Sequence, residues 1–126
     1  MQARKLGLKP GQQVWLDEPP GGWRLADPPD GLQDAGATGP ADVIVAFFAR
    51  ADDIGVRLPA LAERIYPSGA VWAAWPRRAG GHTSDITDNV VREHALALGL
   101  VDVKVAAIDD DWSGLRLVWR VTNRTR

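Results

Sequence analysis

Apolar residues gather along this chain in short runs, and each run ends at proline, glycine or a cluster of charges. Gln13-Val14-Trp15-Leu16 predicts a first strand, launched by Lys9-Pro10-Gly11 and stopped by Asp17-Glu18-Pro19-Pro20-Gly21-Gly22. Ala41 to Phe48 predicts a second strand, buried on both faces because only Asp42 breaks its apolar run. Ala70 to Trp75 predicts a third, entered through Pro67-Ser68-Gly69. It breaks at Pro76 into a basic, Gly-rich loop that continues to Asp85, the manner in which a buried parallel strand delivers the chain to the edge of an α/β sheet. Val101 to Ile108 and Leu115 to Val121 predict two more strands. The turn between them, Asp109 to Gly114, is too short for a parallel crossover, so this last pair is antiparallel.

Two stretches carry helical spacing instead. Ile54, Leu58, Leu61, Ala62 and Ile65 form one apolar stripe, with Asp52 or Asp53 placed to cap the helix start and Pro59 predicting a kink or a division into two helices. Val90, Val91, His94 and Leu98 form another from about Thr87, closed by Gly99. Thr83, Ser84, Asp85 and Thr87 suit the capping of this second helix, and His94 suits a core-edge position bonded to the backbone. Between Trp23 and Pro40 the prolines and glycines are dense and periodicity is weak. A short helix near Trp23 to Ala26 and a wrapping loop are expected there.

The resulting order is strand, loop, strand, helix, strand, helix and an antiparallel strand pair. Right-handed crossovers covering both sheet faces make this a small three-layer α/β sandwich, a mostly parallel sheet with an antiparallel last strand, in one domain over residues 1–126. Trp72 and Trp75, three apart in a strand, face opposite sides of the sheet. Trp15, Trp72 and Trp75 read as packing residues, Trp23 and Trp112 as flanks of a cleft, and Trp119 as the cover of a face or a subunit interface.

Composition narrows the chemistry. The chain has no cysteine, which excludes disulfide frameworks, thiolate zinc sites and cysteine nucleophiles. Fifteen basic and sixteen acidic side chains give a net charge of −1, so no global field recruits a polyanion and nucleic acid is not an expected partner. No apolar run approaches the roughly 20 residues of a membrane span, and Arg4, Lys5, Gly7, Lys9 and Pro10 stand where a signal peptide would place its apolar core. A cytoplasmic protein without membrane attachment is expected. No Gly-x-Ser-x-Gly, paired His-Glu helix or P-loop motif is present, which argues against common hydrolases, metalloproteases and NTPases. Asp109-Asp110-Asp111 lacks the alternating spacing of a calcium loop, and no metal site is expected.

The Pro67-Ser68-Gly69-Ala70-Val71-Trp72 segment and the element order resemble the second half of a class I methyltransferase, entering its fifth strand and ending in its antiparallel last one. A closer resemblance rests on Lys5-Leu6-Gly7-Leu8-Lys9-Pro10-Gly11, Leu58-Pro59-Ala60-Leu61, Ala70 to Pro76, Asp85-Ile86-Thr87, Gly99 to Val105, and Trp112-Ser113-Gly114-Leu115-Arg116. Together these segments are similar to the bacterial family catalogued as domain of unknown function 3052. That resemblance implies no activity. The chain departs from it at Arg77 and Arg78, where lysine is usual, at Val103, where asparagine is usual, and at Ala106, where cysteine is common.

The methyltransferase resemblance raises S-adenosylmethionine as a cofactor. Such a dinucleotide-type site needs a Gly-rich turn after the first strand and an acidic residue about 20 positions later, on a second strand, for the ribose. Here Pro19 and Pro20 remove N–H donors from the turn, and the region from Trp23 to Pro40 cannot hold the usual helix, strand, helix and strand. Asp27, Asp30 and Asp34 are ribose candidates by default. The expectation is therefore no cofactor, and a reduced, non-catalytic methyltransferase-like domain that binds a small anionic ligand or a protein partner, with a homodimer also compatible. The alternative is a minimal S-adenosylmethionine-dependent methyltransferase with an unusual cofactor loop.

Sheet geometry places any ligand beyond the C-terminal ends of the parallel strands. That edge gathers Asp17, Glu18, Arg50 and the loop from Pro76 to Asp85, and also the turn at Asp109 to Gly114 if the fourth strand is parallel. Arg77 and Arg78 suit a carboxylate or phosphate, helped by free N–H groups near Thr87, or else pair with Asp109, Asp110 or Asp111. His82 is the one loop histidine and the candidate proton carrier. The ligand-binding set is Arg77, Arg78, His82, Thr83, Asp85, Asp17 and Trp112.

Overall fold

Six strands form one sheet in a computed structural model that describes residues 2–126: β1 (Gln13–Asp17), β2 (Gln33–Asp34), β3 (Val43–Phe47), β4 (Ala70–Pro76), β5 (Leu100–Ala107) and β6 (Trp112–Trp119). Their spatial order is β2-β1-β3-β4-β6-β5. The first four run parallel, with Val43 beside Ala70 and Phe47 beside Ala74, and β6 lies antiparallel between β4 and β5. All five residues of β3 are buried, as its apolar run requires. β6 begins at Trp112 rather than Leu115, so the turn before it is tighter than expected.

Connection handedness decides what covers each face. From β3 to β4, and again from β4 to β5, the chain steps in the same direction across the sheet. Right-handed crossovers therefore put α2 (Ala51–Arg64) and α3 (Asp88–Leu98) on one face. There Ile54, Leu58, Leu61, Ala62 and Val91 pack on Ile44, Val71, Leu115 and Leu117. The step from β1 to β2 goes the other way, and its connection crosses the opposite face with Trp23, Leu25 and Leu32. A single helical turn, α1 (Gln2–Lys5), completes that layer with Ala3, Leu6 and Leu8. The sandwich has its third layer, but irregular chain supplies most of it where helices on both faces were expected.

Several local expectations are corrected. Residues 23–26 form no helix; the Trp23 N–H bonds the Pro20 carbonyl at 3.0 Å in a turn that the neighbouring glycines and prolines favour over a helical ladder. Pro59 does not divide α2, which runs continuously because Ile54, Leu58, Leu61 and Ala62 are buried on both sides of it. Residues 33–34, expected within a loop, make the short strand β2 beside β1. Trp119 covers no outer face: it is 6% exposed and its indole N–H bonds the Ala62 carbonyl at 2.9 Å. Trp72 and Trp75 do face opposite sides, each in a different core. His94 is half-buried against α2, its Cε1 3.3 Å from where a side chain on Gly55 would begin.

Gly69 is required by space. A Cβ there would lie 2.7 Å from the Asp42 carbonyl oxygen and 2.9 Å from that of Ile65, at the point where α2 returns to β4.

Candidate functional site

The chain reverses direction across the sheet between β1 and β3, so the crevice beyond the ends of these two strands is where ligands lodge in open α/β sheets. Here it is filled from within. Asp17, the last residue of β1, accepts the Trp15 indole N–H at 3.1 Å and the Arg57 Nε–H at 3.1 Å, and forms an ion pair with Arg57 Nη2. Arg57 Nη1 donates to the Phe47 carbonyl at the end of β3, 2.7 Å away, and the guanidinium lies 4.3 Å from the Phe48 ring centre. One arginine on α2 thus ties together the ends of β1 and β3.

Outside this plug a cavity of about 410 Å³ remains, lined by Glu18, Pro20, Phe47, Ala49, Asp53, Arg57 and Trp112. Its floor is aromatic. Trp23 and Trp112 meet Phe47 edge-on at centroid distances of 4.9 and 5.0 Å, and the Trp23 indole N–H bonds Asp109 at 2.8 Å. Glu18 takes the left-handed backbone conformation with φ 53°, which redirects the chain at the end of β1.

A second cavity, about 370 Å³, opens beyond β4 and is lined by Trp75, Arg77, Arg78, Ala79, Ile86, Thr87, Asp88 and Ser113. Arg77 is half-buried and Arg78 exposed. Neither pairs with Asp109, Asp110 or Asp111; among the described residues neither has a carboxylate partner. The link to the acidic turn is instead made by backbone, Arg77 N–H to the Asp111 carbonyl at 2.8 Å, and by His82, whose Nε2 lies 2.9 Å from Asp111 Oδ1. Steric room explains this: Gly80 sits directly against the Asp110 carbonyl, so the loop meets the turn along its main chain.

The seven expected site residues separate into groups. Arg77 and Arg78 share the β4 cavity, Asp17 and Trp112 belong to the switch-point crevice, and His82 is held by the acidic turn. Asp85 turns away from the site, accepting the Ala51 N–H at 3.0 Å and capping α2 in place of Asp52 or Asp53. Thr83 is exposed and forms no side-chain hydrogen bond among the described residues. Of the free N–H groups expected near Thr87, those of Val90 and Asn89 are already taken, by Thr87 Oγ1 and Asp88 Oδ1. The sequence pattern does not single out Arg57; it reads Phe47 only as part of a buried strand and Asp53 only as a helix cap, while it places Glu18 at this edge. The one signal for Arg57 is its place on the first helix after β3, nearly two turns beyond the helix start, opposite an acidic strand end.

No protein-family model and no curated protein matches the chain. Solved structures do. A magnesium protoporphyrin IX methyltransferase from Synechocystis PCC 6803 with bound S-adenosylmethionine is similar at a TM-score of 0.51 and 8% identity, over 79% of this chain and 49% of that one. A protein from Thermoplasma acidophilum described as a candidate methyltransferase gives 0.54 and 9%, over 90% and 70%. LepI, in complex with S-adenosylhomocysteine and a substrate analogue, gives 0.55 and 12%, over 94% and 39%. The chain therefore spans about half the length of the Synechocystis enzyme and less of LepI. It has a small Rossmann-like, methyltransferase-like fold.

The residues beyond β1 do not fit an adenosyl group. Arg57 stands in the crevice, Asp17 is taken up by Arg57 and Trp15, and Pro19 and Pro20 have no N–H to donate. Asp34 at the end of β2 accepts the Gly36 N–H at 2.8 Å. No helix among the described residues is long and apolar enough to cross a membrane, and none of their acidic and histidine side chains form a cluster that would hold a metal ion.

Proposed function

We propose that this chain is a reduced, methyltransferase-like domain that does not transfer methyl groups and acts by binding a small anionic ligand at Arg77 and Arg78. The observation that carries the reading is the pair of arginines without a carboxylate partner beside the β4 cavity. Two adjacent guanidinium groups match a carboxylate or phosphate in shape and charge. Ser113 and Thr87 on the cavity wall add hydroxyl groups, and Trp75 and Ile86 add apolar surface for the rest of the ligand. Asp88 on the same wall disfavours a highly charged anion and favours a monoanion such as a carboxylate. The motifs quoted above support placement in the bacterial family of domain 3052.

Thermal shift with small carboxylates tests this. A ligand that binds only the folded state raises the melting temperature by mass action. The rise is expected for the parent chain and absent in the Arg77→Gln/Arg78→Gln double variant. Equal shifts in both would overturn the reading.

A further inference from the structure

Three segments far apart in the sequence converge on the face of the sheet that α1 covers. They are Lys5-Leu6-Gly7, Lys104 of β5 and Arg116 of β6. Lys104 and Arg116 are direct cross-strand partners. The Lys104 ammonium donates to the Lys5 carbonyl at 3.0 Å, the Lys5 ammonium donates to the Ala107 carbonyl at 3.1 Å, and Gly7 lies against Arg116, with Nε 3.9 Å from where a Cβ would stand. We propose that Lys5, Lys104 and Arg116 form a binding site for a phosphate group.

Like charges directly opposite one another on a sheet destabilise it. Lys104 and Arg116 are such a pair, and among the described residues no carboxylate pairs with either of them or with Lys5. Arg116 Nε is shielded from solvent with no hydrogen-bond partner. The guanidinium lies beside Gly7, and its outer nitrogens have no side-chain or backbone hydrogen bond among the described residues. Each ammonium commits one N–H to a carbonyl and keeps two. The arrangement is fixed by backbone, cationic and rich in donors, which suits a compact dianion with three or more acceptor oxygens.

The test is an NMR titration of the isotope-labelled chain with inorganic phosphate and with pyrophosphate, against chloride at matched ionic strength. Saturable shifts are expected at residues 5–7, 104 and 116. In Lys104→Gln and Arg116→Gln the apparent Kd should weaken by about tenfold or more. The Arg77→Gln/Arg78→Gln variant should keep them, which separates this site from the one beyond β4. Linear, unsaturated shifts in the parent chain would overturn the proposal, as would saturation unchanged by the charge-removing variants. Should those variants fail to fold, the parent titration decides alone: saturation localised to these residues supports the site, and its absence refutes it.

Discussion

The Arg57 guanidinium bridges the Asp17 carboxylate and the Phe47 carbonyl, so that a helix side chain closes the gap between the ends of two parallel strands. Both partners are largely shielded, with side-chain exposures of 23% for Arg57 and 19% for Asp17. Removing one leaves the other's polar atoms unsatisfied in a confined place. Arg57→Ala should lower unfolding stability by about 1–3 kcal/mol. Asp17→Asn and Arg57→Gln should couple in a double-mutant cycle measured by chemical denaturation. Additive effects would show that the bridge carries no energy of its own.

Asp85 caps a helix to which it does not belong. Since Ala51 N–H is otherwise an orphan donor at the start of α2, Asp85→Ala should cost about 1 kcal/mol, with Asp85→Asn recovering most of it. Equilibrium unfolding checks this. A neutral Asp85→Ala would mean that solvent satisfies the donor equally well.

Gly69→Ala should be among the most damaging small substitutions. The added methyl meets two carbonyl oxygens, both on backbone that the start of β4 depends on. A loss of about 2 kcal/mol or more is expected from such overpacking, read from the denaturation midpoint.

Glu63 and Arg126 give the chain a modest acid sensitivity. The Arg126 guanidinium donates to both Glu63 oxygens, at 2.7 and 3.1 Å, and holds the carboxyl below its ordinary range, first through hydrogen bonding and then through charge. A carboxyl lowered in the folded state contributes stability above its unfolded pKa and loses it as pH falls through the folded one. The C-terminal arginine, which also lies 3.9 Å from the Tyr66 ring centre, should therefore detach on acidification. Carboxyl chemical shifts of Glu63 should titrate below those of an exposed glutamate, and Arg126→Gln should abolish the difference.

Much of this architecture was legible because burial on two faces leaves a plain trace. The runs at 41–48 and 70–75 predicted adjacent strands, and Ile54 to Ile65 and Val90 to Leu98 predicted the two helices. Gln33 and Asp34 could not be read as a strand, since two polar residues carry no periodicity and pair only because β1 is beside them. Local pattern placed Asp85 on the nearest helix, whereas the fold brings it to a helix that starts 34 residues earlier. Arg57 lies outside the apolar stripe of its helix, so the pattern does not mark it. Only the right-handed crossover, which sets α2 over the ends of β1 and β3, turns it inward. The arginines after Pro76 were found because a broken apolar run points to a sheet edge, but their freedom from the acidic turn depends on how closely Gly80 approaches Asp110.

Isothermal titration of the intact chain with S-adenosylmethionine and S-adenosylhomocysteine is the most direct measurement. With Arg57 and Asp17 joined across the switch point, neither compound should give saturable heat. A one-to-one isotherm with either, lost on Trp112→Ala, would contradict the plugged crevice and restore an adenosyl site to this fold.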